Sequence, residues 1–299
     1  MIPASELRYC EERIEVVTMA PPQPTNATNA RTVPDVRSLD RDKDRRMNLL
    51  ITNDDGIYSP GILALAQVAA KFGHVRIVAP DVEQSAMSAA ITANRPLSYR
   101  RTPLREFEAY RVNGTPSDCV ALGTHLWERA DVVLSGINLG PNVGNGIWHS
   151  GTVSAARQSV LLGCRGIAFS TPVVDAEPQF DTLEPFVERA LELLLPDASL
   201  RLVNVNLPQQ PAGVAWTRVS VRQYDGWVVP GKDPIGREHF WFTVKPLEPA
   251  DEGTDRWALE HDLVSMTPLR LDLTDEDLLK VATKTPDPPP PQGRARAAG

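Results

Sequence analysis

Apolar residues gather into short runs separated by longer amphipathic stretches, and the first clear run is Met47–Thr52. It ends at Asn53-Asp54-Asp55-Gly56. Ser59-Pro60-Gly61 then opens a segment of helical periodicity that reaches residue 72 and stops at Gly73. Ser at the N-cap, Pro in the first turn and Gly at the end are start and stop signals of a helix. The same reasoning predicts strands at 74–79, 131–135, 166–170 and 202–206, and helices at 117–128, 152–162 and 182–194. Residues 97–112 read as an inserted hairpin. Strands alternating with helices imply right-handed βαβ units and a mostly parallel sheet covered on both faces, an α/β, Rossmann-like architecture. Beyond Pro208 the pattern changes to short strands rich in Trp and Pro, predicting a β-rich extension over about residues 208–270 that serves subunit contacts.

The two ends have a different composition. Residues 21–30 are rich in Pro, Thr and Asn, and residues 31–46 are mostly charged or turn-forming, which cannot support a packed core. Residues 1–46 are therefore expected to be a disordered leader or the product of a start codon assigned too early. Residues 286–299, with a proline run and an Arg/Ala/Gly ending, read as a flexible tail, so the folded domain is expected to occupy 47–285.

A chain of 299 residues with a net charge of −7 lacks the basic surplus that a binder of duplex nucleic acid needs. Its 3 cysteines have no metal-ligand spacing and suit reduced thiols in a cytoplasmic protein. No apolar run approaches the ~20 residues that span a bilayer, so no membrane partner is expected.

In open α/β sheets, ligands bind beyond the carboxyl ends of the strands. Three polar loops fall there: Asn53-Asp54-Asp55-Gly56, residues 81–88, and Ser135-Gly136-Ile137-Asn138 with the Gly/Asn-rich loop after it. Adjacent carboxylates at a strand tip repel each other, which favours a raised pKa or a bound cation. An Asp-Gly turn is the plainer reading of the dipeptide alone. Oxygen donors without His or Cys suit Mg²⁺ or Mn²⁺, with Asp54 and Asp55 supplying charge and Ser85 and Asn138 neutral oxygens. Ser150-Gly151-Thr152-Val153-Ser154 opens a helix after the loop containing Asn142, and its free N–H groups would form an anion site or a plain cap. Asn113-Gly114-Thr115 is a second polar turn before a helix and could line the same cleft.

Taken together, Ile51-Thr52-Asn53-Asp54-Asp55-Gly56, the Val112 to Val120 stretch containing Asn113-Gly114-Thr115-Pro116-Ser117-Asp118, Ser135-Gly136-Ile137-Asn138 and Ser150-Gly151-Thr152-Val153-Ser154 resemble the SurE family of survival-protein 5′/3′-nucleotidases. The resemblance extends through Gly253-Thr254-Asp255 and Val264-Ser265-Met266-Thr267-Pro268. It implies a divalent metal held by Asp54, Asp55, Ser85 and Asn138, and hydrolysis of nucleoside monophosphates. It also implies dimers or tetramers formed through the C-terminal region. Ala86, Ala155 and His149 depart from residues common in the family, which bears on substrate preference.

The expected mechanism has the metal on Asp54 and Asp55, with Asn138 and the Ser150 to Thr152 turn holding the phosphoryl group. One of the two aspartates serves as the catalytic proton carrier. Asn53, Asn113, Gly114, Thr115, Asn142, Ser150, Gly151, Thr152 and Ser154 form the expected substrate-binding set. The alternative is a non-catalytic nucleotide sensor. A dinucleotide-dependent oxidoreductase is disfavoured because Asn-Asp-Asp-Gly would repel a pyrophosphate where a glycine-rich turn is required.

Overall fold

The computed structural model describes residues 16–17, 46–127, 130–173, 178–221, 224–246 and 249–283. The expectations of a leader over 1–46 and a tail over 286–299 fall outside these residues, apart from 16–17 and 46.

The strands are β1 (Val16–Val17), β2 (Met47–Thr52), β3 (Gly73–Pro80), β4 (Leu97–Arg101), β5 (Glu108–Val112), β6 (Val132–Leu139), β7 (Arg165–Thr171), β8 (Leu202–Asn206), β9 (Gly213–Trp216), β10 (Tyr224–Lys232), β11 (Glu238–Pro246) and β12 (Leu263–Pro268). The helices are α1 (Pro60–Ala69), α2 (Pro116–Leu126), α3 (Gly151–Leu161), α4 (Phe180–Leu194), α5 (Asp255–Glu260) and α6 (Glu276–Ala282), with a 3₁₀ turn at Gly144–Trp148. One compact unit runs to Leu269 and a second, Arg270–Gly299, carries α6.

Ten strands form one sheet in the order β1-β4-β5-β3-β2-β6-β7-β8-β12-β9. The central run from β5 through β8 is parallel, as the alternating pattern predicts. The residues expected as an inserted hairpin do pair antiparallel, β4 on β5, but β5 also pairs in parallel with β3 and so belongs to the main sheet. Likewise β12 and β9 extend that sheet beyond β8, and among the described residues only β10 and β11 stand apart as a two-stranded hairpin.

Alternation along β2 sorts the core. Leu49 and Ile51 point to the face covered by α1 and α4, while Leu50 points to the face packed against α2 and α3. This is the period-2 geometry of a strand buried on both sides. Ser59 occupies the N-cap position of α1, though its side chain makes no capping bond, and Pro60 lies in the first turn as expected, but the helix ends at Ala69 and Gly73 opens β3. A Cβ on Gly73 would lie 2.2 Å from the Met47 carbonyl oxygen, so the close approach of β2, and not a helix stop, requires glycine here. No helix among the described residues is long and apolar enough to cross a membrane.

Candidate active site

The site is assembled at the carboxyl ends of β2, β3 and β6. After Thr52 the chain turns sharply, with the Asn53 side-chain amide donating to the Gly56 carbonyl at 2.9 Å. The turn sends Asp54 toward the start of α3. There the Thr152 hydroxyl donates to Asp54 Oδ1, and Gly151 lies against the same side chain. A Cβ at Gly151 would sit 2.8 Å from both Asp54 Cβ and Oδ2, so only glycine lets the helix approach this closely. The α3 start expected as an anion site thus receives the carboxylate of the protein's own Asp54. Helix N-terminal donors favour negative charge for the same reason in either case.

Asp55 points the other way along the strand tips and accepts the Leu139 N–H at 3.2 Å. Strand β6 runs through Ser135-Gly136-Ile137-Asn138 to Leu139, further than the sequence predicted, which brings Asn138 alongside. Asn138 Nδ2 donates to the Gly140 carbonyl at 2.7 Å, so the Oδ1 oxygen is the end of the amide left for a ligand. The loop after β3 closes the third side, its Gln84 N–H donating to the Asp54 carbonyl at 2.7 Å. Ser85 follows directly, yet its hydroxyl donates to Glu83 Oε1 at 2.6 Å. The structure therefore brings the Asp54, Asp55 and Asn138 segments together and leaves the Ser85 side chain turned to Glu83.

Burial raises the Asp54 carboxyl above its ordinary value, opposed by the bonds from Thr152. Burial first, and the neighbouring Asp54 charge second, push Asp55 up to about 6. Glu83 adds repulsion to both and was not singled out from sequence, where it is one more charge in an acidic loop. Among the described residues no cationic side chain pairs with either aspartate. Nor do three His, Cys, Asp or Glu side chains converge as a metal site. Asn53 Oδ1 is buried with no hydrogen-bond partner. Two desolvated carboxylates without a counter-charge, neutral amide oxygens nearby and an orphaned acceptor fit a hard cation, which takes oxygen donors and offsets the repulsion.

The remaining predicted residues are placed as supports. Asn142 is a buried hub whose Nδ2 donates to Ser170 at 2.8 Å and to Thr152 at 3.4 Å, while its backbone carbonyl accepts from Asn204 and Asn206. Ser150 caps α3 by accepting the Val153 N–H at 3.0 Å, and Ser154 is buried one turn on. Thr115 caps α2 in a reciprocal pair with Asp118, and Gly114 packs against the Asp118 carboxylate. Asn113 accepts the Ser98 N–H at 2.8 Å and so ties β4 to this turn. Asp255, fully buried, accepts the N–H groups of Gly144 and Ser220 at 2.8 and 2.9 Å and fixes the head of the 3₁₀ turn that leads to Ser150. Sequence reasoning met Asp255 only inside the Gly253-Thr254-Asp255 motif, because a pin across 111 residues leaves no local pattern.

Comparison with known proteins gives the family. The family model for survival protein SurE matches residues 49–226. A 5′-nucleotidase SurE 1 of Thermus thermophilus is 44% identical over 242 residues, 78% of this chain and 96% of that protein. A 5′-nucleotidase SurE of Deinococcus radiodurans is 42% identical over 268 residues, 86% of this chain and 99% of that protein. The crystal structure of the SurE protein from Aquifex aeolicus superposes with a TM-score of 0.70 at 36% identity, covering 79% of this chain and 98% of that one. The chain belongs to the SurE family.

Proposed function

We propose that this chain is a divalent-metal-dependent phosphomonoesterase that hydrolyses nucleoside 5′-monophosphates, and 3′-monophosphates by family resemblance, to nucleoside and phosphate. The observation that carries the reading is the pair of buried Asp54 and half-buried Asp55, uncompensated by any cation among the described residues, at the carboxyl edge of a parallel sheet. The names of the relatives supply the substrate class.

Asp54, Asp55 and Asn138 would hold Mg²⁺ or Mn²⁺, joined by Ser85 once its hydroxyl leaves Glu83. The ion supplies charge neutralisation at the phosphoryl oxygens. The chain's own residues do the rest. Thr152 and Gly151 hold Asp54 rigidly as the anchor. Asp55, less buried and with one oxygen held by the Leu139 N–H, is the group suited to exchange a proton with the leaving oxygen. Asn142, Ser150 and Thr115 keep the surrounding loops in place, and Asn53, Asn113, Gly114 and Ser154 belong to the same framework, which would hold the substrate's surroundings in a shape set in advance.

The assembly reading rests on the β10–β11 hairpin. Val228, Phe240 and Phe242 share one face, Trp227, Val229 and Trp241 the other, and all six are substantially exposed. A two-stranded ribbon apolar on both faces needs a covering surface. A second copy of this chain supplies one, giving a homodimer or homotetramer.

The test is phosphate release from a panel of nucleoside monophosphates by wild type and Asp54→Asn, with EDTA and with added Mg²⁺ or Mn²⁺. Metal-dependent release abolished by the substitution supports the hydrolase. Absence of release from folded protein with every metal leaves a nucleotide-binding module instead.

A further inference from the structure

The loop after β3 and the 3₁₀ turn meet at Ser88. Its hydroxyl donates to the Trp148 carbonyl at 2.7 Å, and its N–H donates to the His149 carbonyl at 3.1 Å. Two bonds from one residue hold the backbone at Trp148, whose side chain is nevertheless 45% exposed. Across the clasp, Met87 is 46% exposed and is flanked by Ala86 and Ser88, both with left-handed backbone at φ 60° and 54°. Non-glycine residues adopt that conformation at some cost and keep it where the surroundings enforce it, often around ligands. Here it presents an exposed thioether on a loop clamped, through Ser88, to the backbone that carries the exposed indole.

The location matters as much as the exposure. Trp148 stands three residues before Gly151, which touches Asp54, so their Cα atoms are at most about 11 Å apart. On the other side, Gln84, three residues before Met87, donates its N–H to the Asp54 carbonyl. Both exposed apolar residues thus stand three positions along the chain from a segment that touches Asp54, a separation comparable to a short linker. A nucleotide has this layout, with a ribose separating an anionic phosphate from a flat apolar base. Aromatic rings and Met sulfur both pack well against such a π-face.

We propose that Trp148, with Met87 beside it, forms the platform on which the nucleobase of the substrate stacks. This rests on the nucleotidase reading for the identity of the ligand. Stacking is tolerant of base identity, because every base has a π-face, so the platform favours nucleotides over base-free phosphate esters without selecting one base.

The experiment compares AMP with ribose 5-phosphate in wild type, Trp148→Ala, Trp148→Phe and Met87→Ala. The KM ratio of the two esters is measured with metal, and the ratio of their dissociation constants by calorimetry with EDTA, where no turnover occurs. Trp148→Ala is expected to weaken AMP relative to ribose 5-phosphate on the order of tenfold, with Trp148→Phe restoring most of it and Met87→Ala shifting the ratio less in the same direction. If wild type hydrolyses neither ester while the binding ratio still collapses in Trp148→Ala, the hydrolase reading fails and the platform stands. A ratio unchanged by Trp148→Ala in both assays overturns the platform, including the case where sedimentation shows Trp148 to be a contact between subunits.

Discussion

The Asp255 carboxylate accepts the Gly144 N–H at 2.8 Å, joining the head of α5 to the loop that leads into α3. Its other oxygen accepts from Ser220 at 2.9 Å and from Arg256 at 2.8 Å. Asp255→Ala would leave these donors without an acceptor, at a cost of about 3 kcal/mol or more. The urea midpoint should fall accordingly, with Asp255→Asn losing less. Midpoints of both variants close to wild type would mean that the pin is idle.

Gly151 tests the approach of α3 to Asp54. Gly151→Ala adds helix propensity worth about 1 kcal/mol but forces a contact that costs roughly 1–3 kcal/mol. Stability should therefore move little, while the displaced Asp54 carboxylate lowers phosphate release by about tenfold or more. Full activity in this variant would show that the position of Asp54 is not critical.

Metal-free protein should have a distinctive pH profile. The folded-state pKa of Asp55 is raised to about 6 from 3.8, so the folded protein takes up a proton before the unfolded chain does. The destabilisation from this ionised carboxylate is fully present above about pH 6 and is relieved as pH falls toward 4. In EDTA, this group alone makes Tm higher near pH 5 than near pH 8. Saturating Mg²⁺ or Mn²⁺ should reverse the trend, because protons then compete with the ion. Equal slopes with and without metal, measured by thermal scans in matched buffers, would argue against a cation at the pair.

The hairpin prediction concerns assembly. Phe242→Asp and Trp241→Asp each put a charge on one apolar face of β10–β11, facing Val228 and Val229 respectively. At least one should reduce the sedimenting mass toward that of a monomer. Identical sedimentation of both variants and wild type would remove the hairpin as the contact.

Local patterns carried most of the architecture. The apolar run Met47–Thr52 and the Ser59-Pro60 start of α1 depend on neighbours in sequence, and both appear where the pattern places them. Gly73 was misread because the atom that excludes a side chain there belongs to Met47, on another strand. The hairpin at β4 and β5 was legible as a pair, but its membership of the main sheet depends on β3. In the site, the Asp54–Asp55 pair and Asn138 stand out as oxygen donors at strand ends. Glu83 and Asp255 do not, since each acts through partners that only folding brings close.

By itself, the sequence determined the alternation of strands and helices, the polar loops at their carboxyl ends and the paired carboxylates, because hydrophobic periodicity and turn chemistry are local properties. Tertiary structure decided that Asp54 receives the Thr152 hydroxyl, that Asn142 is a buried hub and that Ser85 faces Glu83. Those outcomes depend on which loops the ten-stranded sheet sets side by side, and hydrogen-bond geometry between distant segments has no signature along the chain.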